Sequence, residues 1–154
     1  MRRLTLELIV ASALTLGAIL ASAAEARASD IRVTGAFARA SATPVAKSGA
    51  AYATLRNPGP ASDRLTGIAT PAAARAELHV SRIDGGIMKM EAVGPLDLPP
   101  SGEVAMKPGG LHIMLMGLGK PLVEGQPIDM TFSFEKAGDV TVRVPVGSIT
   151  ADAP

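Results

Sequence analysis

Closely spaced turn signals run through the chain from residue 30 onward. Combinations of Pro, Gly, Asn and Asp recur roughly every 8 to 15 residues, a spacing typical of β-sandwiches and β-barrels. The segments between them are rich in alternating apolar residues and are too short for long amphipathic helices. We therefore predict a single all-β domain.

The individual strands follow from these boundaries. At 57–60, for example, an Asn-Pro-Gly-Pro run ends a strand, because proline has no N–H to donate to a ladder. Alanine-rich residues 72–76 are a candidate helical turn. The predicted strands are 31–38, 50–56, 65–68, 76–81, 87–93, 103–107, 111–116, 127–134 and 140–146.

The start of the chain has the layout of an export signal. Two arginines are followed by apolar and small residues from 8 to 24, and A-x-A sites end at Ala23 and Ala28. We predict that residues 1–28 are a cleaved secretory signal peptide and that 29–154 are the mature domain. A membrane anchor is the alternative, but the run is short and rich in Ala, Ser and Thr. We expect an exported domain with no stable membrane anchor.

Composition excludes several functional classes. The net charge is +1 and the chain has only four aromatic residues, which argues against binding nucleic acid. It has no cysteine, and so no disulfide, thiolate metal site or lipidated cysteine is expected. We find no grouping of nucleophile, base and orienting partner, and we expect no enzyme activity.

Methionine and histidine are concentrated in two of the predicted strands. In the strand 111–116, alternation places His112, Met114 and Met116 on one face and leaves the leucines and isoleucine for the core. Met106 and Met130 have no accompanying histidine, and we interpret them as core residues.

The second group of candidate ligands depends on a hairpin register. If Asp84–Gly85 form the centre of a type I′ turn, His79 directly faces Met90. A turn centred on Gly85–Gly86 would shift the register and remove this pairing. The faces are also ambiguous, because Lys89 and Glu91 alternate toward the expected core unless the strand is an edge or contains a bulge.

These donors favour a soft metal ion. Thioethers prefer Cu(I) over Zn(II), Mg(II) or Ca(II), and neutral imidazole is a compatible ligand. An electron-transfer copper site would need a cysteine. Met88 and Met116 share the candidate face and could serve as ligands or pack beside the site. The alternative is a secreted β-sandwich, a binding or structural domain in which these residues have no metal role.

At these positions the sequence resembles the periplasmic PCuAC copper chaperones. His79, Met90, His112 and Met114 reproduce the family spacing H-x10-M-x21-H-x-M. The likeness also includes the segments 87–90, 107–110, 112–118 and 120–122, and it extends from about residue 31 to 146.

The resemblance implies a cupredoxin-like Greek-key β-sandwich that binds one Cu(I) per chain through those four side chains. It also implies ligand exchange rather than catalysis, with copper passed to a cytochrome c oxidase subunit or a Sco-type protein. Some family members carry methionine directly after the first histidine, where this chain has Val80.

Overall fold

The computed structural model describes residues 30–154, which form eleven β-strands and no α-helix. The predicted signal peptide, 1–28, lies outside the described residues. Within residues 30–154, we find no helix with the length and apolar character needed to cross a membrane. The strands are β1 (Arg32–Arg39), β2 (Ser48–Arg56), β3 (Asp63–Ala69), β4 (Ala73–Asp84), β5 (Ile87–Ala92), β6 (Leu96–Leu98), β7 (Glu103–Ala105), β8 (Leu111–Leu118), β9 (Ile128–Phe134), β10 (Gly138–Val144) and β11 (Val146–Gly147).

All nine predicted strands are present, with two differences in the number of elements. The short strand β6 was not predicted, and Pro145 divides the last predicted strand into β10 and β11. The helical turn predicted at 72–76 is wrong, because β4 already begins at Ala73. Pairing of this segment with β8 outweighs the modest helix preference of its alanines.

The strands form one curled sheet around a shared core. Its main order is β10-β9-β3-β4-β8-β2-β1-β11, with β5, β6 and β7 attached to β4, β3 and β2. Phe132 and Met130 of β9 belong to the same buried cluster as Leu55 of β2 and Leu115 of β8. Because strands from both ends of the order pack on one core, the sheet folds over into two layers.

Strand β8 has a central position and a clear division of faces. It lies between β4 and β2, and its residues Ile113 and Leu115 are completely buried. His112, Met114 and Met116 therefore project from the other face, as their alternation predicts. The core assignment of Met106 and Met130 is also confirmed, since both are buried in the hydrophobic cluster.

The β4–β5 hairpin extends beyond this core. All six residues of β5 are exposed, and β5 pairs with β4 alone among the described strands. Lys89 and Glu91 therefore meet water, and Lys89 forms an ion pair with Asp84 at 2.6 Å. Of the two alternatives considered for this strand, the edge position is correct.

Gly117 maintains the close approach of β8 to β4 at the end of the methionine-bearing segment. Its φ is +69°, and a Cβ there would lie 2.9 Å from the Cβ of Ala74. We expect Gly117→Ala to lower the free energy of unfolding by about 1–3 kcal/mol, measured by urea denaturation. Gly119→Ala is the matched control, because nothing lies within 4 Å of a Cβ at that position. Equal losses in the two variants would contradict this explanation.

Candidate metal centre

His112 lies at the centre of the candidate site. It projects from β8 and is only 5% exposed. Its Nδ1 lies 2.9 Å from the carbonyl oxygen of Gly110. Since a carbonyl can only accept a hydrogen bond, Nδ1 carries the proton, and the lone pair of Nε2 is available to a ligand. The backbone of the preceding turn thus orients this imidazole for binding.

His79 lies directly beside His112, because the two residues are paired across β4 and β8. Their ring centroids are 6.1 Å apart. The side chain of His79 is 16% exposed, and its Nε2 lies 3.5 Å from a carboxylate oxygen of Glu77. Both of its ring nitrogens are buried without a hydrogen bond. Buried polar atoms are rarely left unsatisfied, so this imidazole is suited to bind a ligand.

The methionines adjoin this pair along an open depression of about 370 Å³. Met90 is 50% exposed and Met88 is 65% exposed, whereas Met114 is partly buried. His79 lies beside His112 but does not contribute to the lining. The lining residues are Ser48, Gly49, Ala50, Tyr52, Ser81, Met88, Met90, Gly109, His112 and Met114.

The predicted pairing of His79 with Met90 is wrong. His79 faces Ala92, and Met90 faces Ser81, because the turn is centred on Gly85–Gly86. Both glycines have positive φ, which a type I′ turn requires and which glycine adopts more readily than aspartate does.

This shift in register preserves the face on which Met90 lies. Met90 moves two residues along relative to His79, and side chains alternate with a period of two. The two residues become diagonal neighbours, about 7–8 Å apart, which long side chains can still bridge. The structure therefore brings His79, His112, Met90 and Met114 to one surface, although by a different pairing.

Tyr52 is a neighbour of the site that the sequence did not reveal. Its ring centroid lies 6.5 Å from that of His112, and Phe37 stacks on its other side at 4.8 Å. Burial raises the pKa of Tyr52, an effect that the positive charge of Arg39 opposes. Only the long-range pairing of β2 with β8 places this ring beside His112, and no local spacing indicates it.

Met116 lies on the same face but outside the depression. It faces Arg75 of β4, whose Nη2 is 3.8 Å from its sulfur. Within residues 30–154, no three His, Asp or Glu side chains gather in a group that could hold a metal ion. The side chains that converge around His112 are a second imidazole and thioethers.

Comparison with known proteins identifies the family to which the chain belongs. Residues 31–146 match the model of the family described as "Putative lipoprotein LpqE-like". The chain belongs to this family, which is part of the PCuAC group of proteins. The predicted family resemblance is therefore confirmed.

A curated relative shows the likeness at the level of sequence. The chain is 36% identical over 98 residues to "Putative lipoprotein Lxx21020" of Leifsonia xyli subsp. xyli. The match covers 63% of this chain and 59% of the relative. The chain thus matches somewhat more than half the length of that protein.

Solved structures show the likeness in three dimensions. The copper-bound PCuAC domain from PmoF2 is 27% identical, with a TM-score of 0.64, covering 77% of this chain and 92% of that domain. The Cu(I) form of DR1885 from Deinococcus radiodurans is 32% identical, with a TM-score of 0.60. The match covers 84% of this chain and 85% of DR1885. These similarities confirm the predicted cupredoxin-like β-sandwich.

Proposed function

We propose that this protein is a copper chaperone that binds one Cu(I) through His79, Met90, His112 and Met114. The observation that carries the proposal is the pair of adjacent imidazoles. One has neither ring nitrogen hydrogen-bonded, and the other has its Nε2 left available by the contact of Nδ1 with Gly110. Two of the similar solved structures are described as copper-bound. Their likeness supports copper as the ion for this chain.

The chemistry of the donors favours the reduced ion. Thioether sulfur is a soft, uncharged ligand that prefers Cu(I) to the harder divalent ions, and imidazole is compatible with it. Loading requires no thiol deprotonation, because the chain contains no cysteine. Four neutral ligands leave the bound ion with its single positive charge.

The position of the ligands favours transfer over storage. Met90 is half exposed on an edge strand, so an incoming ligand can replace its thioether while the core remains packed. We propose that the chain acts by this exchange and not as an enzyme. Candidate acceptors are a cytochrome c oxidase subunit and a Sco-type protein.

The proposed location is the periplasm. Removal of a signal peptide at residues 1–28 would release a single copper-binding domain at 29–154. The names of the family and of the curated relative, which call them lipoproteins, support export.

Anaerobic loading of the exported protein with Cu(I) tests the proposal. We expect one copper per chain to remain bound after desalting and to resist a moderate excess of the chelator bicinchoninate. The competing function, a secreted β-sandwich with no metal role, predicts no stoichiometric copper. If the desalted protein retained only a small fraction of one copper per chain, the chaperone function would therefore be refuted.

A further inference from the structure

The thioethers around the depression differ in exposure from one end to the other. Met114 is partly buried, Met90 is 50% exposed and Met88 is 65% exposed. Met88 and Met90 project from the same face of β5, because they face Ile83 and Ser81 of β4. Together they form a row of sulfur donors that leads from the histidines to the outer part of the hairpin.

Packing does not account for a methionine at position 88. Its side chain is mostly in water, and its partner across the hairpin, Ile83, is 77% exposed. The ion pair at the tip of the hairpin joins Lys89 to Asp84 and does not involve Met88. Even so, Met88 lines the same depression as Met90 and His112.

The register separates Met88 from His79, one of the proposed resident ligands. His79 faces Ala92, and Met88 lies four residues from Ala92 along β5, about 13 Å at the rise of an extended strand. An ion held by His79 is therefore beyond the reach of Met88. Met90 lies only two residues, or about 7 Å, from Met88, a distance that two flexible thioether side chains can close.

We propose that Met88 is a transfer ligand that holds Cu(I) briefly as the ion enters or leaves the site. This inference rests on the proposed copper-chaperone function and extends it to a side chain outside the resident set.

The transfer step is a simple ligand exchange. The bonds from copper to the two imidazoles and to Met114 break first, as ligands of the acceptor bind the ion. A bond then forms between copper and the sulfur of Met88 as the bond to the sulfur of Met90 breaks. The incoming ligand of the acceptor then displaces Met88. Copper remains Cu(I) throughout, and the chain neither gains nor loses a proton, because both thioethers are neutral.

The test compares equilibrium binding with the rate of transfer. Protein loaded with Cu(I) is mixed anaerobically with a very large excess of bicinchoninate, enough to draw off the copper that a moderate excess leaves bound, and formation of the coloured complex is followed by stopped flow. We expect Met88→Leu to slow transfer about tenfold, equivalent to about 1.4 kcal/mol in the barrier, while the equilibrium affinity for Cu(I) stays at the wild-type value. Leucine keeps the volume of the side chain and removes its sulfur.

Two further variants make the test specific. Met116→Leu removes a thioether from the same face but outside the depression. It should change neither the rate of transfer nor the equilibrium affinity for Cu(I). Met88→His supplies another copper ligand and should restore transfer toward the wild-type rate.

Transfer by Met88→Leu at the wild-type rate would overturn the proposal. So would a loss of affinity as large as that of Met90→Leu, since Met88 would then be a resident ligand. Failure of the wild-type protein to bind Cu(I) would instead refute the chaperone function itself, and the transfer role with it.

Discussion

Replacement of His112 by phenylalanine is expected to weaken Cu(I) binding about 100-fold or more, or roughly 2.7 kcal/mol. The substitution removes Nε2, the nitrogen that the contact with Gly110 leaves free. Phenylalanine still supplies a ring next to Tyr52 and His79. Competition with a Cu(I) chelator measures the change in affinity.

Tyr52→Phe is the control for His112→Phe. It removes a hydroxyl from the neighbouring ring and leaves both imidazoles in place, so Cu(I) affinity should remain near that of the wild type. Thermal unfolding shows whether each variant is folded. The free energy of unfolding of His112→Phe is expected to fall by about 1 kcal/mol, because the Gly110 carbonyl loses its hydrogen-bond donor. A folded His112→Phe protein with wild-type affinity would exclude His112 as a ligand.

The double variant Met90→Leu/Met114→Leu is expected to lose Cu(I) affinity by a similar factor, about 100-fold. Both substitutions preserve side-chain volume and remove a sulfur donor. The two imidazoles remain, and so any weak affinity for Zn(II) should change little, because that ion prefers nitrogen to thioether ligands. Parallel titrations with Cu(I) and Zn(II) would separate loss of sulfur ligation from general damage.

Met116→Leu is the matched control for the double variant. Its side chain lies on the same strand face as Met114 but contacts Arg75, and its replacement should leave Cu(I) binding unchanged. Equal Cu(I) affinity in the double variant and the wild type would mean that the thioethers are not ligands. The surface would then bind metal, if at all, through its histidines.

Local patterns in the sequence predict much of this fold. The turn signals locate the strands because proline and glycine act on the backbone of their own segment. The alternation in β8 predicts its buried face correctly, with Ile113 and Leu115 inside. The short strands β6 and β11 escape prediction because they exist through pairing with the distant strands β3 and β1.

The site shows the same division between local and long-range determinants. Met114 and His112 share a face through local alternation, which the sequence shows directly. The pairing of His79 with His112 joins strands that are far apart in sequence, and no local rule predicts it. The hairpin register depends on whether Asp84–Gly85 or Gly85–Gly86 occupy the turn, a small energetic difference that the strand pattern does not reveal.

The burial of the histidines also has a long-range origin. His112 lies on the face opposite the core, where alternation alone predicts exposure. Tyr52 from β2 and His79 from β4 flank it on the two sides, and the ring is 5% exposed. Burial of this kind limits access by water, so a bound ion would meet the acceptor mainly from the side of the exposed methionines.

X-ray absorption spectroscopy of the anaerobically loaded protein tests the central claim most directly. We predict an edge characteristic of Cu(I) and a first shell that contains both nitrogen and sulfur, from His79, His112, Met90 and Met114. The sulfur contribution should disappear in Met90→Leu/Met114→Leu. A shell composed only of nitrogen and oxygen in the wild-type protein would contradict the proposed site.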